Sequence, residues 1–216
     1  PLSIISLSNE NLEDEIGELT LEDQKLMPIK TNLTEIKLNY EKIEEIFDNM
    51  RSILVRKNKG ESTDINIKKT ITKSLSLVNA KMKSRNIVVN YDSIDEMATI
   101  HTTETDLSQI FLNLFNNAAD AIEKLENKWI EIKSYCSEGN IYIRFQDSGE
   151  GIPEDIRANM FDTLFTTKGE NRGTGLGMGV VKKLIERHHG KISIDIDAPN
   201  TTFVLKFPII NKNRPP

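Results

Sequence analysis

The stretch "FQDSGEGIPEDIRANMFDTLFTTKGENRGTGLGMGVVKKLIERHHGKI", Phe145 to Ile192, holds two glycine clusters with a long, poorly periodic segment between them. The first cluster, "DSGEGI" (Asp147 to Ile152), follows directly on a strand pattern. Glycines there permit positive φ and close backbone approach to a ligand, and an Asp at a strand end can accept a hydrogen bond from an amino group. Taken alone, the hexapeptide reads as an ordinary Asp-Gly turn. The second cluster, "GTGLGMG" (Gly173 to Gly179), precedes a helical pattern, where free N–H groups make an anion site. It is not a P-loop, because no Lys-Ser/Thr follows the last glycine. Nor do its glycines open an early strand-turn-helix unit of the dinucleotide-binding kind. The intervening segment carries Phe161, Leu164 and Phe165, then Thr166, Thr167 and Lys168. Apolar anchors with glycine at both ends are what a closing lid needs, so the glycines are expected to serve as hinges and as phosphate cradle.

Upstream, "TDLSQIFLNLFNNAADAIEKL" (Thr105 to Leu125) is a strong helical pattern starting at a Thr105 or Asp106 cap. Leu107, Phe111, Leu114, Ala118 and Ala121 form its buried stripe. Gln109, Asn113, Asn116, Asn117 and Asp120 form the other face. Asn113 and Asn117 stand one above the other, and Asn carries a helix-propensity cost. Two stacked amides can present carbonyl oxygens to a hard cation, or they can simply line a solvated face. "WIEIKSYC" and "NIYIRFQD" alternate as a half-buried antiparallel pair joined by "SEGN". A helix over Ile65 to Lys83, strands "NIVVNYD" and "EMATIH", a helix "VVKKLIERHH" and strands "KISIDID" and "TFVLKF" complete the region. Strands and helices segregate rather than alternate, which predicts an α/β sandwich, one mixed sheet covered by helices on one face.

The chain before this region reads differently. Ile29, Leu33, Ile36, Tyr40, Ile43, Phe47, Met50 and Leu54 make one apolar stripe at helical spacing. Ile5, Leu12, Ile16 and Leu19 make a shorter one, with Gly17 near a possible turn and Pro28 either kinking the early part of the longer helix or marking its start. Such a hairpin is too thin to bury its own stripe, so a four-helix bundle formed by two chains is expected. The alternative is packing on the chain's own second domain. "RKNKGESTD" (Arg56 to Asp64) is a polar linker. The expected class is therefore α+β: a helical hairpin over residues 1–58, dimeric as a four-helix bundle, and a second domain over 65–212.

With 216 residues, 38% apolar content and a net charge of −5, the chain can bury a core and is a poor electrostatic partner for nucleic acid. No run approaches the ~18 apolar residues of a membrane span, and no signal peptide is visible, so no membrane contact is expected. The lone Cys136 forms no disulfide within the chain and suits a reducing compartment. His101 reads as an ordinary strand or loop residue. His188 and His189 end a helix, where positive charge suits the dipole.

Four motifs stand in order over about Ile65 to Pro208, and together they carry a resemblance. "LSQIFLNLFNNAADAI" resembles the N box, "DSGEGI" the G1 box, "MFDTLFTTK" the F box and "GTGLGMGVVKKLIERHHGKI" the G2 box of the ATP-binding domain of sensor histidine kinases. That domain is one of the Bergerat-fold ATPases, which include DNA gyrase, MutL and the Hsp90 chaperones. "NTTFVLKFP" resembles the closing strand, with Asn200 where Gly is usual, and His189 replaces the first Gly of the usual His-Gly-Gly.

The resemblance implies ATP and Mg²⁺ as cofactors. Asn117 would coordinate Mg²⁺, with Asn113 supporting it. Asp147 would bind the adenine amino group, and Gly149 and Gly151 would let the backbone close over the base beside Ile152 and Ala121. Gly173, Thr174, Gly175, Leu176, Gly177 and Met178 would hold lid and phosphates, with Thr167 and Lys168 as further contacts. Thr202 would support the adenine pocket through water. The family's hydrolysing members carry a Glu where this chain has Asn113, and an amide cannot act as a base, so slow hydrolysis is expected.

The implied function is a histidine protein kinase core. It would pass the γ-phosphoryl to a His on the dimerisation helix and then to the receiver domain of a response regulator. "PLSIISL" at the start resembles the residues after the family's His-Glu-x-x-x-Pro-Leu box, which puts the acceptor His before Pro1 and leaves no catalytic residue within this sequence. Without that His, this chain would not autophosphorylate. The alternatives are a dimeric nucleotide-sensing scaffold that transfers nothing, and a serine kinase of the same fold.

Overall fold

Alternation of apolar and polar residues decides the sheet. Ile130 and Ile132, then Ile141, Ile143 and Phe145, then Phe203, Leu205 and Phe207 are all buried, while their neighbours along each strand face outward. The computed structural model describes residues 28–37, 39–40, 43, 62–162, 165–167 and 174–209. The chain divides into two compact units, Pro1–Arg51 with Thr166–Thr174, and Ser52–Phe165 with Gly175–Pro216.

In order, the second unit contains β1 (Thr63–Asn66), α1 (Ile67–Ser84), β2 (Val88–Asn90), β3 (Thr99–Thr102), α2 (Glu104–Ala121), β4 (Trp129–Ser137) and β5 (Asn140–Asp147). These are followed by α3 (Glu154–Asn159), α4 (Gly177–Arg187), β6 (Lys191–Ile194) and β7 (Thr202–Pro208). Five strands form one mixed sheet in the order β2-β4-β5-β7-β6, with β2 parallel to β4 and the other pairs antiparallel. Glu138 and Gly139, at φ 50° and 72°, make the tight two-residue turn between β4 and β5. The inward strand residues share one core with Leu107, Ile110, Phe111, Leu114 and Phe115 of α2 and with Val180, Val181, Leu184 and Ile185 of α4. Phe115 meets Phe145 edge to face at 5.4 Å. This is the expected α/β sandwich.

Local chemistry moves several expected boundaries. β1 pairs with β3 in a separate two-stranded sheet, so α1 begins at Ile67 rather than Ile65. Asn66 caps it, accepting from the Lys69 N–H at 2.8 Å. α2 starts earlier than Thr105, because Thr103 is the cap and accepts from the Asp106 N–H at 3.1 Å. On α2, Ala121 is exposed and Ile122 takes the buried place expected for it. The segment between the glycine clusters is not all loop. It contains α3, with Ile156 packed on the core and Met160 buried. His101 reaches Asp64 across the β1–β3 pair at 3.0 Å, and Cys136 is exposed.

In the first unit, residues 28–37 are helical, and the Thr34 hydroxyl donates to the Lys30 carbonyl at 2.8 Å. Of the expected stripe, Leu33 is buried, whereas Ile29, Ile36 and Ile43 are 45%, 48% and 52% exposed within the single chain. Phe47, Met50, Leu54, the shorter stripe and the turn at Gly17 lie outside the described residues. Among the described residues, no helix is long and apolar enough to cross a membrane.

The end of α4 explains how His189 stands in for glycine. The Gly190 N–H reaches the Ile185 carbonyl at 2.9 Å and the His189 N–H reaches the Glu186 carbonyl at 3.0 Å, which is the Schellman pattern. That pattern needs a left-handed residue, and His189 takes it at φ 58°. Gly190 cannot carry a side chain, since a Cβ there would stand 2.6 Å from the Lys206 carbonyl. His189→Gly relieves the left-handed strain, so it is expected to raise stability by about 0.5–1 kcal/mol in denaturant unfolding.

Candidate functional site

The central strand of the sheet carries a carboxyl at its end. Asp147 is the last residue of β5 and has the parity of Ile141, Ile143 and Phe145, so it points to the helix-covered side. It is 2% exposed. Gly149 donates its N–H to Asp147 Oδ1 at 2.8 Å, and the Asp147 N–H donates to the Thr201 carbonyl at 3.0 Å. The loop is tied back to β7 by the Thr201 N–H on the Gly149 carbonyl at 2.9 Å and by the Gly151 N–H on the Thr201 hydroxyl at 3.2 Å. A Cβ on Gly149 would stand 2.8 Å from both Asp147 Oδ1 and Thr201 Oγ1, so only glycine fits. Gly151 lies at φ 96°. Burial pushes the Asp147 carboxyl up to about 6, against the opposing hydrogen bonds from Gly149 and Thr201. A buried carboxyl with so few internal donors is poised to accept one from outside.

The expected Thr202 is not the hydroxyl at this place. Thr202 donates to the Asn200 carbonyl at 3.0 Å, while Thr201 faces Asp147 and the glycine loop. Strand parity carries the signal that finds it: Thr201 shares the face of Phe203 and Leu205, and Thr202 does not. Asn200 is a second residue missed. Its side-chain amide donates to the Ser148 and Gly149 carbonyls at 3.4 and 3.2 Å, holding the loop from the position where glycine was expected.

The second part of the site lies between α2 and α4. Asn113 is buried and Asn117 half-buried on the face of α2 that meets the start of α4. A Cβ on Gly177 would stand 3.4 Å from Asn113 Oδ1 and 3.7 Å from Asn117 Nδ2. The start of α4 has no side-chain cap, the form of helix end that suits an anion. Asn113 Nδ2 is buried with no hydrogen-bond partner. An orphaned amide donor, uncapped helix N–H groups and amide oxygens make a donor set that suits phosphate together with a hard divalent cation. Among the described residues no cluster of three His, Cys, Asp or Glu could hold a metal alone, so a cation here would draw on ligand oxygens for most of its shell.

Ile152 and Met178 pack against the core as half-buried residues, Gly175 takes φ 65°, and Leu176 precedes the first turn of α4. Ala121 is exposed at the end of α2. Thr167 and Thr174 group with the other compact unit, Thr167 exposed and Thr174 buried. Lys168 and Gly173 lie outside the described residues, as does Leu164 of the expected lid.

Comparison with known proteins bears on this arrangement. The family model described as histidine kinase-, DNA gyrase B-, and HSP90-like ATPase matches residues 102–211. Sensor histidine kinase ZraS of Salmonella typhi is 33% identical over 151 residues, covering 69% of this chain and 32% of its own length. Sporulation kinase E of Bacillus subtilis is 31% identical over 137 residues, covering 63% of this chain and 18% of its own length. The chain thus spans a third or less of these two curated relatives. Among solved structures, the catalytic domain of histidine kinase ThkA matches with a TM-score of 0.60 at 30% identity, over 68% of this chain and 95% of that one. A structure of ThkA in complex with the response regulator TrrA matches with a TM-score of 0.65 at 24% identity, over 99% of this chain and 64% of that one.

The raised Asp147 carboxyl has a measurable consequence. Its folded value, about 6, lies above the unfolded one, so its favourable contribution is present below about pH 4 and is lost as pH rises through 6. Asp147→Asn cannot ionise and should show no such loss. The variant's stability relative to wild type is expected to grow by about 2–3 kcal/mol between pH 4 and pH 8 in parallel urea titrations.

Proposed function

The chain belongs to the histidine kinase-, DNA gyrase B-, and HSP90-like ATPase family, with sensor histidine kinases among its relatives, and from this we propose that it is the catalytic core of a histidine protein kinase. In this proposal residues 65–212 bind Mg-ATP. Residues 1–58 form the helical hairpin through which two copies dimerise, in keeping with the half-exposed Ile29, Ile36 and Ile43. The γ-phosphoryl goes to a His of the dimerisation helix and from there to a response-regulator receiver domain, within the cytoplasm. That ThkA is known in complex with the response regulator TrrA supports such a partner.

The observation that carries the nucleotide assignment is the buried Asp147 beneath a loop whose Gly149 leaves no room for a Cβ. Ionised, this carboxylate accepts from an exocyclic amino group such as that of adenine, and it supplies no donor of its own. Thr201 and Asn200 hold the loop against it. Mg-ATP, when bound, supplies the transferable phosphoryl group and the metal that spreads its charge. Asn117 offers the cation an amide oxygen. Asn113 offers its unpartnered Nδ2 hydrogens to a phosphate oxygen. The glycine-bearing start of α4 offers backbone N–H groups without a competing cap.

Asn113 also sets the reaction's direction. It stands beside the start of α4, where a carboxylate could orient and deprotonate water. An amide accepts no proton in its place, so water is a poor nucleophile here and the phosphoryl group is kept for a protein acceptor.

Two variants test this. Asn117→Ala is expected to weaken ATP binding at least ~10-fold in the presence of Mg²⁺, while changing it little in EDTA. Asn113→Glu is expected to raise steady-state ATP hydrolysis by ~10-fold or more, as a general base is gained. Wild-type hydrolysis that is already rapid and unmoved by Asn113→Glu would overturn the assignment of Asn113.

A further inference from the structure

At the far end of the α2–α4 seam lies a charged cluster with no part in the site described above, a buried Asp and His with an exposed Arg beside them. Asp106, in the first turn of α2, is 8% exposed, and His188, at the end of α4, is equally buried. His188 Nε2 lies 2.7 Å from Asp106 Oδ2, and Arg187 Nη1 lies 3.3 and 3.2 Å from the two Asp106 oxygens. Burial pushes the Asp106 carboxyl up, but the His188 hydrogen bond and the Arg187 charge outweigh it and hold it below the usual carboxylate range. The helix poles favour the same arrangement, with an acid at the start of α2 and bases at the end of α4.

The two helices run antiparallel. Residues 187–188 of α4 meet Asp106, and Gly177 at its start meets Asn113 and Asn117. Between these ends the α4 side of the seam is Val180, Val181, Leu184 and Ile185, all buried. Apolar ridges pack well in more than one axial position, whereas a three-membered hydrogen-bonded cluster has one. At Gly177 a Cβ would stand in van der Waals contact with both amides, 3.4 Å from Asn113 Oδ1 and 3.7 Å from Asn117 Nδ2, so an axial shift of α4 changes what faces them.

We infer that Asp106, His188 and Arg187 are positioning residues that fix the axial register of α4 on α2, and thereby the fit of the Gly177 backbone to the amides of Asn113 and Asn117. The inference rests on the nucleotide assignment above for its functional consequence, though the register itself does not. The phosphate end of the site depends on this register. The adenine end does not, because Asp147, Gly149 and Thr201 are bonded to one another at the end of the central strand β5.

The test compares wild type with Asp106→Asn, His188→Ala and His188→Gln, using two probes and one apo measurement. Mg-ATP affinity is expected to fall ~10-fold or more in Asp106→Asn and His188→Ala, while adenosine affinity, by ligand-observed NMR, stays within ~2-fold. His188→Gln places an amide nitrogen near the position of Nε2 and should restore Mg-ATP affinity to within ~3-fold of wild type. Glu104→Gln is the control. It removes another charge from the first turn of α2, one paired with Lys73 and not with α4, and should change neither affinity. Spin labels at Thr105→Cys and Lys182→Cys, both exposed, in a Cys136→Ser background, report the register without ligand. Their distance distribution should shift or broaden in Asp106→Asn and in His188→Ala. An unchanged distribution in both variants overturns the inference, as do Mg-ATP and adenosine affinities that fall together. If wild type binds neither probe, the nucleotide assignment fails, and the spin-label distances still decide the register.

Discussion

Asp147 is a carboxyl almost without water, and the rest of the site is arranged around that fact. An ionised group in such a place is costly unless something donates to it. Here one backbone N–H and one hydroxyl do so, and the carboxyl still sits near 6. The loop that supplies the backbone donor can come so close only because residue 149 has no Cβ. Thr201 then bonds to the same loop through its N–H, its carbonyl and its hydroxyl, so the carboxyl, the loop and the end of β7 form one unit. Under the proposed function the unit costs stability when empty and supplies an acceptor when a donor-bearing base enters. This is the usual exchange of stability for function at a binding site.

The other half of the site follows the same logic with neutral groups. Asn113 is buried on a helix face that meets another helix, a place where an aliphatic residue would pack with less penalty. Its Nδ2 is an unmet donor, and it faces the start of α4, which has no side-chain cap. An unmet buried donor in a native structure points to an acceptor that arrives from outside, which under the proposed function is phosphate. Under the proposed function the site has an acceptor end at the end of the central strand and a donor end between helices, to match the two chemical halves of a nucleotide.

Much of this was legible from residue order alone. Alternation in "WIEIKSYC" and "NIYIRFQD" gave the strands that carry Asp147, because a period of two is unambiguous when one face is buried. The spacing of Asn113 and Asn117 placed them together. Other features needed three dimensions. Asn66 and Thr103 are caps whose identity depends on where the chain turns, and "TDIN" became a strand only because β3 lies beside it. Thr201 and Thr202 are chemically identical, and the choice between them rests on strand parity. Asn200 and His189 occupy places where glycine was expected, and each turns out to be used, one as a clamp on the loop and one in the left-handed cap of α4.

Under the proposed function the site holds a phosphoryl donor for a histidine acceptor. The most direct measurement mixes the chain with γ-labelled Mg-ATP and a separate helix carrying the His-Glu-x-x-x-Pro-Leu box. The account predicts label on that helix that is labile to acid, stable to base and absent when the His is replaced. Full Mg-ATP binding with no label on any histidine-bearing helix, or label that survives acid, would contradict it.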